Sequence, residues 1–148
     1  MQVKGEFTVI DYFKESEKLL TELPMLKASV ENLQKRKISL SGIAAEPPQR
    51  LNKTHRAELT KSEEIWLDYR QTEKQIGYTR IIIEHIEQTL QQLEAEERTV
   101  LTFWYVDHVS KEKMLQELHY ESLTTLYNIK NRAVRRFTLL YYGGRLFT

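Results

Sequence analysis

SLTTLYNIKNRAVRRF, residues Ser122 to Phe137, decides how the chain is read. Leu126, Ile129, Ala133 and Phe137 recur at helical spacing, with Leu140 one step beyond, so the stretch predicts an amphipathic helix with one apolar stripe. At about 100° per residue, the opposite face carries Thr124, Asn128, Asn131, Arg132 and Arg135. Thr125, Lys130 and Arg136 flank that face, and Ser122 stands where an N-cap belongs. From Ser122 to Thr148 the charged residues are Lys130, Arg132, Arg135, Arg136 and Arg145, all basic. From Glu84 to Glu97 the pattern inverts: Glu84, Glu87, Glu94, Glu96 and Glu97 occur without Lys or Arg. The formal net charge is only +1, so the polarity is local. A local basic patch, more than the total charge, is what a polyanion meets.

Immediately upstream, His119-Tyr120-Glu121 predicts a tight turn. KEKMLQEL, Lys111 to Leu118, predicts a helix capped by Ser110, with Met114, Leu115 and Leu118 inward. Asp107-His108-Val109 reads as a break. EAEERTVLTFWYV, Glu94 to Val106, reads as a helix with Val100, Leu101, Trp104 and Tyr105 inward. Short helices, a turn and a basic amphipathic helix make a helix-turn-helix arrangement.

Further upstream, Ile65, Tyr69, Thr72, Ile76, Thr79, Ile83, Ile86, Leu90 and Leu93 alternate steps of four and three. They predict one long helix from about Lys61 to Leu93. Leu19, Leu23, Leu26, Val30 and Leu33 form a second such seam. Its helix is expected to open at Thr8, with Asp11 completing a capping box, and Pro24 is expected to kink it or start a new helix. Residues 39–60 hold Gly42, Pro47-Pro48 and Asn52 and read as a loop. The two seams can satisfy each other as an antiparallel hairpin, on which a homodimer can be built. The expected architecture is all-α: an N-terminal coiled-coil-like helical hairpin over residues 1–93, then a helix-turn-helix domain over residues 94–148.

Composition narrows the function. With 41% hydrophobic and 29% charged residues, the chain is too apolar for general disorder. There is no cysteine, so disulfides, thiolate metal sites and a cysteine nucleophile are excluded. His55, His85, His108 and His119 show no metal-ligand spacing, and no phosphate-cradling or nucleophile-elbow motif occurs. The expectation is no enzyme, no metal and no cofactor. MQVKGEFTVIDYF lacks the features of a signal peptide, and no window is apolar enough to span a membrane, so a cytoplasmic protein is expected.

The run LEAEERTVLTFWYVDHVSKEKMLQELHYES resembles the fourth region of primary-class sigma factors. The matching residues are Glu97-Arg98, Val100-Leu101, Trp104-Tyr105, Ser110, Met114-Leu115, Leu118 and Ser122, with Arg132-Ala133 further on. Two departures stand out: His119 occupies the usual turn glycine, and the turn to the capping serine is one residue longer. A long helical N-terminus ahead of such a unit is similar to small phage and prophage late transcription regulators of Gram-positive hosts, the ArpU/RinA type.

The resemblance implies a sequence-specific activator that binds double-stranded DNA and works with bacterial RNA polymerase. The residues expected to contact DNA are Ser122, Thr124, Thr125, Asn128, Lys130, Asn131, Arg132, Arg135 and Arg136. The asparagines and arginines suit base edges, and the lysine and Arg136 suit the backbone. Two other readings stay open: a small-terminase-like DNA-packaging subunit, and a helical adaptor or anti-sigma-like interaction protein. Trp104, Tyr105, Tyr141 and Tyr142 are expected to pack in the core rather than stack on bases.

Overall fold

The computed structural model describes residues 10–43 and 60–147, and every element in them is helical. The order is α1 (Tyr12–Ser41), α2 (Lys61–Gln91), α3 (Ala95–Leu101), α4 (Lys111–Leu118) and α5 (Leu123–Tyr142). A π turn at Thr102–Val106 extends α3, and a 3-10 turn at Gly143–Phe147 follows α5. The protein is all-α, as the spacing of its apolar residues predicts.

Local chemistry explains the helix starts. Asp11 takes the capping position of α1, where its Oδ1 accepts from the Lys14 N–H at 3.1 Å. Thr8, the expected cap, lies outside the described residues, as do residues 44–59 of the expected loop. At α2, Thr60 and Glu63 form a reciprocal capping box: the Thr60 N–H donates to Glu63 at 2.8 Å, and the Glu63 N–H to Thr60 Oγ1 at 3.1 Å. α1 runs unbroken through Pro24, so no new helix begins there. The proline ring removes the N–H that the Leu20 carbonyl would otherwise receive, a single lost bond in a 30-residue helix. α1 also continues to Ser41, inside the stretch expected to be a loop.

The chain divides into two compact units, Met25–Ile83 and Met1–Pro24 with Glu84–Thr148. In the first, the seam positions Thr72, Ile76 and Ile83 are buried. Arg36 pairs with Asp68 at 2.6 Å and Lys37 with Glu73 at 3.4 Å. Such solvent-exposed pairs contribute little each.

The second unit holds the candidate site. Leu20, Ile86, Val100, Leu101, Leu126, Ala133, Val134 and Phe137 are fully buried there, and α5 packs on both α3 and α4. Ser16 and Thr138 share a buried hydroxyl–hydroxyl hydrogen bond of 2.7 Å. The buried face at the end of α5 is therefore not the simple stripe. Thr138 goes in, and Leu140, expected to be buried, is 45% exposed. Tyr141, one helical turn after Phe137, stacks on Phe137 at 5.5 Å and on His85 at 4.0 Å. Gly143 then ends α5 at φ 57°, ψ −131°, a region that side chains forbid.

In α3 the adjacent residues Glu97 and Arg98 divide their work. Arg98 reaches back to the end of α2, donating to the Leu90 carbonyl at 3.2 Å and the Leu93 carbonyl at 3.0 Å. It thereby adds a donor at the last turn of α2, where the Leu90 carbonyl also accepts from the Leu93 N–H, and another at the Leu93 carbonyl just beyond it. Glu97 turns the other way, to α5, and is fully buried.

Candidate nucleic-acid interface

The α4–turn–α5 segment is built by two serine caps and one left-handed residue. The Lys113 N–H donates to Ser110 Oγ at 3.2 Å, and the Thr125 N–H to Ser122 Oγ at 3.2 Å. Both serines hold extended backbone, which places their hydroxyls over the first turn. Between the helices, His119 adopts φ 59°, ψ 39°, and the next N–H, from Tyr120, bonds back to the Leu115 carbonyl at 3.0 Å. This is the C-terminal closure that glycine usually provides. An L residue in that region is disfavoured by about 1–2 kcal/mol, while glycine loses more chain entropy on folding. His119→Gly is therefore expected to stabilise the protein by about 0.5–1 kcal/mol. A denaturant titration checks this; an unchanged or lower midpoint would show that the His119 side chain has a compensating contact.

Under the turn, Val100, Met114, Leu126 and Ile129 form one buried cluster, with Phe103, Trp104, Leu115, Leu118 and Tyr120 packed around it. Leu115 and Leu118, expected to be buried, are half-buried on its rim. The end of α3 departs from the regular helix read over Glu94–Val106. The Asp107 N–H bonds the Thr102 carbonyl, and His108 follows at φ 52°. The wider π turn inserts an extra residue into the helical phase. Tyr105 goes inward, donating to Glu17 at 2.6 Å, while Trp104 meets Tyr127 of α5 edge-on at 5.1 Å. Burial, then the Glu17 contact, pushes the Tyr105 phenol far above its ordinary range. Tyr120 is pushed up to about 12 by burial and by its hydrogen bond to Glu96.

The nine candidate DNA contacts separate into three groups. Thr124, Asn128 and Arg135 are exposed and Asn131 is half-exposed. They follow one another along α5 at steps of four, three and four. Among the described residues, none of them makes a side-chain hydrogen bond or ion pair. Ser122 and Thr125 are exposed too, but their oxygens serve the cap, 3.1 Å apart.

The remaining three basic residues differ from expectation. Arg132 donates from Nε to Glu97 at 3.0 Å and lies 3.5 Å from Glu96. Arg136 lies 3.5 Å from Glu94 and 3.6 Å from Glu97. The Arg132 guanidinium is held above its ordinary range by the Glu97 hydrogen bond. Both arginines are thus engaged by the acidic opening of α3, because a buried carboxylate needs a partner more than a solvated guanidinium needs a ligand. Lys130 is only 9% exposed. Its ammonium sits 4.9 Å from the Trp104 ring centre, and that of Lys111 sits 4.7 Å from the same ring. Burial is the main influence lowering the Lys130 ammonium below its ordinary range; Glu17 opposes the fall and Lys111 adds to it. Trp104, Lys111 and Lys130 come from three different elements, so the periodicity of no one helix contains their meeting.

No family model, curated protein or solved structure matches the chain. Among the described residues, no group of three or more histidines or carboxylates is placed to hold a metal ion. Nor is any helix there long and apolar enough to cross a membrane.

Proposed function

We propose that the chain is a sequence-specific double-stranded DNA-binding regulator of transcription, an activator of the phage late-operon kind working with host RNA polymerase. The supporting observation is the pair of serine-capped helices α4 and α5, joined through a left-handed His119. They present Thr124, Asn128, Asn131 and Arg135 on an outer face without acids. Asparagine can pair with both edge groups of adenine and arginine with both acceptors of guanine, so this face suits a major groove. Thr124 lies in the first turn of α5, the end that usually enters the groove. One such unit reads few base pairs, so useful selectivity calls for a second copy or for polymerase bound alongside. The likeness of residues 93–122 to the fourth sigma region favours recruitment of polymerase by the same chain that holds the DNA.

Selection from a pool of randomised duplexes, followed by salt titration of the enriched sequence and a scrambled one, tests the reading. The enriched duplex should bind at least about a thousandfold tighter than the scrambled one. Its affinity should fall linearly on a log–log salt scale, by roughly 0.9 per neutralised phosphate. Absence of enrichment, with no duplex binding at physiological salt, would sink the proposal and turn the search to an acidic protein partner.

A further inference from the structure

The Trp104–Tyr127 ring pair carries two ammonium groups at nearly matched distances. Lys111 is 4.7 Å from the Trp104 centre and 5.9 Å from that of Tyr127; Lys130 is 4.9 Å and 5.8 Å from them. The two lysines come from different helices, Lys111 from the first position of α4 and Lys130 from the middle of α5. Among the described residues, no carboxylate lies within ion-pair distance of either ammonium. Glu17, the acid that acts on Lys130, is engaged by the Tyr105 hydroxyl at 2.6 Å. Two like charges brought together on one aromatic platform repel, and ring quadrupoles offset that repulsion only partly. An anion between them would remove it. The rings also fix the flexible lysine stems in advance, which lowers the entropy lost when a ligand is gripped. Tyr127 is exposed, so the platform reaches solvent on the side of α5 next to Asn128 and Asn131.

We infer that Lys111 and Lys130, seated on Trp104 and Tyr127, together grip a single phosphate of the DNA backbone beside the reading face of α5. The inference rests on the DNA-binding reading and adds to it the grip that sets the register of α5 in the groove. A phosphate contact carries no sequence information, so this grip acts on every duplex alike.

The test is a salt titration of binding to the enriched and scrambled duplexes, for the full chain and for Lys111→Gln, Lys130→Met and the double variant. Methionine keeps the buried stem of Lys130, and Lys111→Gln, at a half-exposed position, stays decisive should Lys130→Met fail to fold. Each single variant should weaken both duplexes by the same factor. The double variant should lower the salt slope by about 0.9 in total, the value for one shared phosphate. A slope that falls by about 0.9 for each lysine separately would mean two independent contacts and overturn the shared grip. Unchanged slopes in variants of a DNA-binding chain would overturn it while leaving the DNA reading intact. A wild-type chain that binds no duplex would remove both. Inorganic pyrophosphate distinguishes the source of the phosphate. In a Trp66→Phe background, it should leave Trp104 emission unchanged at physiological salt. A response to pyrophosphate with none to DNA would assign the grip to a free phosphate compound and overturn the inference.

Discussion

Replacing Arg132 and Arg136 together with alanine is expected to destabilise the protein by about 2–4 kcal/mol, lowering the melting temperature by roughly 10 °C. The reason lies in Glu97, which has no exposed surface. Its Oε2 is held by Arg132 at 3.0 Å and by Arg136 at 3.6 Å, and its Oε1 has no hydrogen-bond partner. Removing both guanidiniums leaves a carboxylate in the core with nothing to offset its desolvation. The guanidiniums are about half exposed, at 48% and 53%, so their attraction is partly screened and the lower end of the range for buried pairs applies. Urea titration measures the loss. Adding Glu97→Leu to the double variant should restore most of it, since an apolar side chain of similar size needs no partner. A double variant as stable as the wild type would show that Glu97 is not held by these arginines.

The second large effect should fall on DNA and leave stability alone. Asn128→Ala and Arg135→Ala remove exposed groups that make no hydrogen bond or ion pair within the described residues, so the unfolding midpoint should stay within about 0.5 kcal/mol of wild type. Affinity for the enriched duplex should fall by roughly tenfold to a hundredfold for each, the worth of one two-point contact to a base. Affinity for scrambled duplex should barely change on Asn128→Ala, because the amide carries no charge. If the enriched and scrambled duplexes lose equally, α5 does not read bases through this face. The contrast with Arg132 is direct. Sequence reasoning placed Arg132 and Arg135 on one face, yet one is expected to act on folding and the other on binding.

Short-range physics was the part of the fold readable from the residues. Ser110 and Ser122 cap as expected because capping is settled within three residues. The bounds of α4 follow from them. The seam of α2 turns inward at Thr72, Ile76, Ile83, Ile86 and Leu90 because burial enforces the four-three rhythm. Long-range electrostatics was harder to read. The acids at 94–97 and the bases at 132–136 stand out in the sequence as opposite blocks, and the basic block by itself suggests a surface for a polyanion. Opposite blocks within one chain also attract each other, and here the pairs form across more than 30 residues once α3 packs on α5. Lys130 shows a further limit. A helical wheel sets it beside the exposed face, but Trp104 of the π turn lies over its ammonium, 4.9 Å from the ring centre, a contact that the periodicity of α5 alone does not contain. The continuity of α1 through Pro24 is of the same kind, since propensity alone favours a break.

α5 keeps its fold and its outward vocabulary on separate residues. Phe137, Ala133, Ile129 and Leu126 hold it in place, while Thr124, Asn128, Asn131 and Arg135 make no side-chain hydrogen bond or ion pair among the described residues. Substitutions on the outer four therefore drift without penalty to the scaffold. On the DNA-binding reading proposed above, a lineage could exchange one target sequence for another in a few steps, and an engineer could graft a new outer face onto the same helix without rebuilding what lies beneath it.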